Sequence, residues 1–267
     1  MAKQDILNCL HTECPWRDTL YWYDEIDSTN TEAKRLAKDG APHGTVLVAG
    51  RQTAGRGRLG RQFSSPGDMG VYLSVILRPD CPANKLMHLT CGAAVAACRA
   101  VSAACEFTPQ VKWINDLVWD KQKLGGILTE LSVDSATGLV EYAIIGIGIN
   151  CRQERADFPE ELQDMAISVK QITGAPCAPA NVAAALISAL YEMSLSLLSG
   201  KIALINEYKG LCMTLDKEIL LVRGNEKRRA TALDLDEDGG LIIRNPDGTE
   251  ETVSSGEVSV RGMYGYL

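Results

Sequence analysis

The chain has 267 residues and a formal net charge of −7, with 46% hydrophobic and 23% charged residues, an ordinary globular composition. The acidic balance argues against a protein whose main partner is nucleic acid. No segment approaches the run of about 18 unbroken apolar residues expected of a membrane span. The opening Met1-Ala2-Lys3-Gln4-Asp5 lacks the apolar core of a signal peptide, so a cytoplasmic protein is expected.

In chain order, residues 3–11 read as a short helix and residues 20–26 as a strand. Asp27-Ser28-Thr29-Asn30 then supplies helix-start chemistry. Ser28 or Thr29 can cap, and Thr29 with Glu32 fits a capping box, for a helix running to Lys38 and stopping at Gly40. Residues 45–49 read as a buried strand and 51–67 as a Gly/Arg-rich loop. Residues 71–77 are a further strand and 86–104 a long helix. Strand-like runs follow at 109–113, 117–119, 124–131 and 139–149, then helices at about 180–198 and 201–211. After Leu215 the composition changes. Strand-like runs at 219–222, 230–235, 241–244 and 251–253 are separated by Asp238-Gly239-Gly240 and Asn245-Pro246-Asp247-Gly248. These describe a small all-β unit, and the expected division is 1–213 and 214–267. The nine cysteines include no C-x-x-C pair. Cys91, Cys98 and Cys105 recur every seventh residue and, with Met87, Val95 and Val101, mark one helix face, where small buried hydrophobes are the plain reading.

Four segments carry candidate chemistry. Gly55-Arg56-Gly57-Arg58-Leu59-Gly60-Arg61, together with Arg51, places four arginines within eleven residues, with no acid between Gly50 and Gly67. Such density repels itself unless an anion is meant to sit there. Glycines let backbone amides approach that anion, and guanidinium groups fork onto carboxylate or phosphate. The same residues also suit a solvated loop or one that contacts RNA. Lys112-Trp113-Ile114-Asn115-Asp116 sets a lysine, an amide and a carboxylate at a strand-to-turn junction, where an ordinary Asn-Asp turn is the alternative. In Lys123-Leu124-Gly125-Gly126-Ile127-Leu128 the lysine alone reads as a surface charge, while paired glycines in a strand suggest close approach by a ligand or backbone. In Gly146-Ile147-Gly148-Ile149-Asn150, alternating glycines suggest a strand with one face kept clear for a flat ligand.

In order along residues 20–265, these segments resemble the biotin–protein ligases. The resemblance rests on Asp27-Ser28-Thr29-Asn30, Gln52-Thr53-Ala54-Gly55-Arg56-Gly57-Arg58, Lys112-Trp113-x-Asn115-Asp116, Lys123-x-x-Gly126-Ile127 and Gly146-x-Gly148-Ile149-Asn150. It departs from the family pattern at Ile114, where proline is usual, and at Phe63, where an aromatic that is often tryptophan stacks on adenine. The resemblance implies an α+β fold, with a mixed β-sheet backed by helices as in class II synthetases and a small C-terminal SH3-like barrel. It implies two steps: biotin and ATP give biotinyl-5′-AMP and pyrophosphate, and a lysine of a biotin carboxyl carrier domain then takes the biotinyl group. It further implies that Lys123, Arg58 and Asp116 serve catalysis. Ser28, Thr29, Asn30, Gln52, Arg56, Gly57, Arg58, Lys123 and Gly126 would bind biotin. Arg56, Arg58, Phe63, Asn115, Asp116, Lys123 and Asn150 would bind ATP, with Mg²⁺ arriving on ATP rather than held permanently by the protein. A lipoate–protein ligase shares the fold and the adenylation logic, and an RNA-binding protein using the arginine loop is the non-enzyme alternative. Only 26 residues precede Asp27, and those before the first strand suffice for one short helix, so no DNA-binding helix-turn-helix is expected. A homodimer is left open.

Overall fold

The computed structural model describes residues 1–223, 225–254 and 259–262. α1 (Lys3–Cys9) buries Ile6, and a three-ten turn at Pro15–Arg17 buries Trp16. β1 (Leu20–Ile26), α2 (Thr29–Lys38) and β2 (Thr45–Gln52) form a β–α–β unit with the two strands parallel. Gly40, at φ +89°, turns the chain away from α2. β3 (Gly70–Leu77), α3 (Leu89–Cys105), β4 (Gln110–Lys112), β5 (Asp116–Trp119), β6 (Gln122–Val133) and β7 (Val140–Asn150) complete a seven-stranded mixed sheet. Its order is β1-β2-β3-β7-β6-β5-β4, antiparallel at every pairing except β1–β2.

Helices cover both faces, which explains why the central strands read as continuous apolar runs rather than as alternation. Val46, Val48, Val71, Leu73, Val75, Ile145, Ile147 and Ile149 share the main core with α3 and with α5 (Pro179–Ser196), which follows the short α4 (Val169–Thr173). The intervening Leu47, Ile76, Tyr142 and Ile144 pack on Ala33 and Ala37 of α2. Residues 83–105 are long and apolar enough to cross a membrane by size and composition, but 72% of their most apolar stretch is buried in this core. Cys91 and Cys98 face inward as expected and Cys105 is half-buried. Met87 does not belong to that face: it precedes α3 and is 52% exposed.

The expected capping box at Thr29 and Glu32 does not form. Ser28 is the N-cap residue, but its side chain makes no capping bond, and Thr29 is already helical. The Thr29 hydroxyl instead donates to Gln52 Oε1 at 3.0 Å and Glu32 pairs with Arg35, so tertiary partners outcompete the local ones.

α6 (Lys201–Leu211) leads into a second sheet of β8 (Lys217–Arg223), β9 (Glu226–Leu235), β10 (Leu241–Arg244), β11 (Glu250–Val253) and β12 (Ser259–Gly262), in the order β11-β10-β9-β8-β12. The last strand was not expected. The turns were: Gly239 and Gly248 take positive φ of +82° and +88°. The second sheet meets the first at Trp113, whose Nε1 donates to Gly239 O and whose backbone N donates to Thr214 Oγ1, both at 2.9 Å.

Candidate functional site

Strand register lays out the site. On the α2 face, Ala49, Tyr72, Gly148, Gly126, Asp116 and Lys112 form one row across β2, β3, β7, β6, β5 and β4. Leu47, Ser74, Gly146 and Leu128 form the next. Ile76, Ile144 and Glu130 form a third, nearest α2. Under α2 the face is apolar. Beyond it the side chains shrink to glycine and hydroxyl, leaving a cleft of about 860 Å³.

One end of the cleft is polar and neutral. Gln52 Oε1 accepts from the Thr29 backbone N at 2.8 Å, and Gln52 Nε2 donates to Ser65 Oγ at 2.9 Å. Ser74 Oγ donates to Asn30 Oδ1 at 2.6 Å and lies 2.8 Å from Thr29 Oγ1. Ser28, Thr29, Asn30 and Ser74 are all buried, so these bonds fix the amide and hydroxyls facing the cavity. The other end is charged. Lys123 Nζ lies 2.6 Å from Asp116 Oδ1, Lys112 is buried beside them, and Arg58 Nη1 donates to Asn115 Oδ1 at 3.0 Å. Burial pushes the Arg58 guanidinium below its usual range, with Asp116 opposing the shift.

The arginine segment is a tight hairpin over the middle of the cleft. Gly57 N donates to Arg61 O at 2.8 Å and Phe63 N to Gly55 O at 2.9 Å. Leu59 at its tip takes φ +55° and Gly60 φ +74°. The four arginines separate. Arg56, Arg58 and Arg61 line the cleft, whereas Arg51 turns away and pairs with Glu25 at 2.8 Å. The expected cluster is therefore three arginines, because Arg51 still belongs to β2 and projects beyond the cleft wall.

The glycine-lined face is not clear, as the alternation had suggested. A Cβ on Gly146 would stand 1.8 Å from Asn30 Oδ1, and one on Gly148 would stand 2.4 Å from Phe63 Cε1. A Cβ on Gly126 would meet the Lys123 ammonium end at 3.3 Å. These glycines make room for the protein's own site groups. Phe63 lies against Gly148, edge-on to Tyr72 with ring centroids 6.5 Å apart.

Every residue given a binding or catalytic role by the resemblance lines this one cleft: Ser28, Thr29, Asn30, Gln52, Arg56, Gly57, Arg58, Phe63, Asn115, Asp116, Lys123, Gly126 and Asn150. The Asn150 amide is engaged in its wall, donating to Ile167 O at 3.1 Å. The Trp113–Ile114 peptide beside Asn115 is cis. Two contributions went unassigned. Lys112 stood in a recognised segment yet was given no role. Phe158, Leu162, Met165 and Ala166 come from a stretch with no motif and no periodicity, brought in by pairing of Lys123 with Ala166.

Comparison with known proteins places this architecture. Residues 22–150 match the Biotin/lipoate A/B protein ligase family and residues 214–261 the Biotin protein ligase C terminal domain. A biotin–[acetyl-CoA-carboxylase] ligase of Paracoccus denitrificans is 31% identical over 241 residues, 88% of this chain and 98% of that protein. A biotin protein ligase from Aquifex aeolicus in complex with biotin and ATP superposes with a TM-score of 0.77 at 30% identity, covering 91% of this chain and 98% of that one. The bifunctional ligase/repressor BirA of Bacillus spizizenii is 42% identical over 174 residues, 65% of this chain, which spans about half (53%) of that relative's length. The chain belongs to the biotin protein ligase family.

Proposed function

We propose that the chain is an ATP-dependent biotin–protein ligase acting in the cytoplasm. It would form biotinyl-5′-AMP and transfer the biotinyl group to a lysine of the biotin carboxyl carrier domain of a biotin-dependent carboxylase. One observation carries this reading: a single cleft joins a neutral hydrogen-bonding end at Thr29 and Asn30, braced from behind by Ser74, to a charged end at Lys112, Asp116 and Lys123, under an arginine hairpin. The first end suits an uncharged polar head group and the second a triphosphate. The Aquifex relative's bound biotin and ATP support the same pair of ligands.

In the first step a biotin carboxylate oxygen attacks the α-phosphorus and pyrophosphate leaves. Two anions must meet, and at about 4 Å their repulsion is about 4 kcal/mol at an effective dielectric of 20. Arg56 and Arg58 would hold the carboxylate and phosphate, and Lys123 would exchange Asp116 for the developing charge. Phe63 would give its face to adenine. Mg²⁺ would enter with ATP and add charge neutralisation, with Asp116 the carboxylate facing it. In the second step the carrier amine attacks the mixed anhydride carbonyl and AMP leaves. We place the division between the catalytic part and the C-terminal unit at residues 213 and 214.

The test is incubation with ATP, equimolar biotin and lipoate, and a carrier domain, read by mass. The expected result is one biotinyl group per acceptor. A lipoyl adduct formed in preference to the biotinyl one would replace this reading with lipoate ligation, and no adduct would overturn it.

A further inference from the structure

The row of the sheet nearest α2 is apolar through Ile76 and Ile144 and then ends on Glu130. Only 19% of that side chain is exposed, so its charge must be solvated by the protein itself. Three donors do so: Lys34 Nζ at 2.5 Å, Asn30 Nδ2 at 3.1 Å and the Arg56 guanidinium at 3.3 and 3.4 Å. Asn30 and Arg56 line the cleft and Lys34 does not. A carboxylate just outside the cavity thus grips one group from its neutral end and one from the hairpin.

We infer that Glu130 is a positioning residue for the first step, holding the Arg56 guanidinium over the neutral end of the cleft before the ligand carboxylate arrives. Arg56 needs such an anchor. It is 43% exposed, glycines flank it on both sides, and its long side chain has many rotamers to lose on binding. The same carboxylate fixes the Asn30 amide, whose Oδ1 already accepts from Ser74. A flipped amide would set donor against donor and acceptor against carboxylate. Ligand binding then meets a prepaid arrangement rather than ordering a free arginine. This inference rests on the biotin-adenylating reading above.

Pyrophosphate release at varied biotin tests it. Glu130→Gln keeps an acceptor for Asn30 and removes the charge that holds Arg56. It should raise the KM for biotin about tenfold and leave kcat within about threefold, since the group acts on assembly of the site. Glu130→Asp, which restores the charge, should recover most of that loss. Glu130→Gln combined with Arg56→Ala should be no worse than Arg56→Ala alone, because the carboxylate acts through the arginine. Lys34→Ala should keep the wild-type KM. A folded Glu130→Gln protein with wild-type KM would overturn the inference. So would effects that multiply in the double variant, or a Lys34→Ala protein that copies Glu130→Gln. Wild-type protein that releases no pyrophosphate with biotin would instead remove the parent reading, and this one with it.

Discussion

Lys123 and Gly146 show how single residues shape the cleft. Lys123 Nζ sits 2.6 Å from Asp116 at the charged end. In the proposed reaction, Lys123→Ala would remove a fixed cation where charge accumulates in the first step. Biotin-dependent pyrophosphate release should fall by about 10²–10³, the usual cost of losing one preorganised donor, with the melting temperature little changed. Gly146→Ala acts differently. Its new methyl would stand 1.8 Å from Asn30 Oδ1 and must push that amide off Ser74. Overpacking of this kind costs about 1–3 kcal/mol, so both a lower unfolding midpoint and a raised biotin KM are expected from denaturation and steady-state kinetics. Neither residue was opaque in the sequence. The lysine stood close to paired glycines, whereas the alternation of Gly146 and Gly148, read as a face kept clear for a flat ligand, instead admits the protein's own Asn30 and Phe63. What fills that room was illegible, because Asn30 and Phe63 come from segments 116 and 85 residues away along the chain. The Thr29 capping box failed for a related reason, since a hydroxyl that can bond locally was taken by Gln52 from the next strand.

Among the elements, the arginine hairpin carries the clearest expectation. A few backbone bonds between residues 55 and 63 and side-chain ties from Arg56 to Glu130 and from Arg58 to Asn115 hold it, its tip has Leu59 and Gly60 at positive φ, and its three arginines line the cleft. Glu130 and Asn115 hold Arg56 and Arg58, yet three cations on so short a segment still repel one another, and an arriving anion steadies it further. Trypsin should therefore cut between Arg56 and Arg61 in the empty protein, and biotin with ATP should slow that cutting at least several-fold by gel densitometry. Strands and helices with strong apolar runs were legible from end to end, from β1 to α6. The stretch between β7 and α5 was not, because its three-ten turns and the five-residue α4 bury little and repeat nothing. Yet that stretch supplies Met165 and Ala166 to the cleft, through backbone bonds to Lys123 that only the tertiary fold creates.

At the scale of the molecule, the second sheet shares the main core with the first, α6 adds the Lys201–Asp238 and Lys209–Asp234 pairs, and Trp113 bonds across the junction. Its indole donates to Gly239 O, and the turn carrying that glycine lies on α3 so closely that a Cβ there would stand 2.6 Å from Cys91 Sγ. Trp113→Phe would leave the Gly239 carbonyl without its buried donor, a loss of about 1–3 kcal/mol. The urea midpoint should drop with little change in slope. The change in composition after Leu215 made a second unit readable, but this contact could not be read: no local pattern says that Gly239 should seat against Cys91, 148 residues earlier. That seating also gives the molecule an internal timer. Cys9 is exposed, whereas Cys91 is buried under the turn and its thiol is held far above the usual range, so almost none of it is thiolate. An alkylating reagent should consume Cys9 at once and Cys91 only as fast as the turn lifts from α3. Peptide mass spectrometry over a time course would then read the rate at which that turn lifts, without any engineered label.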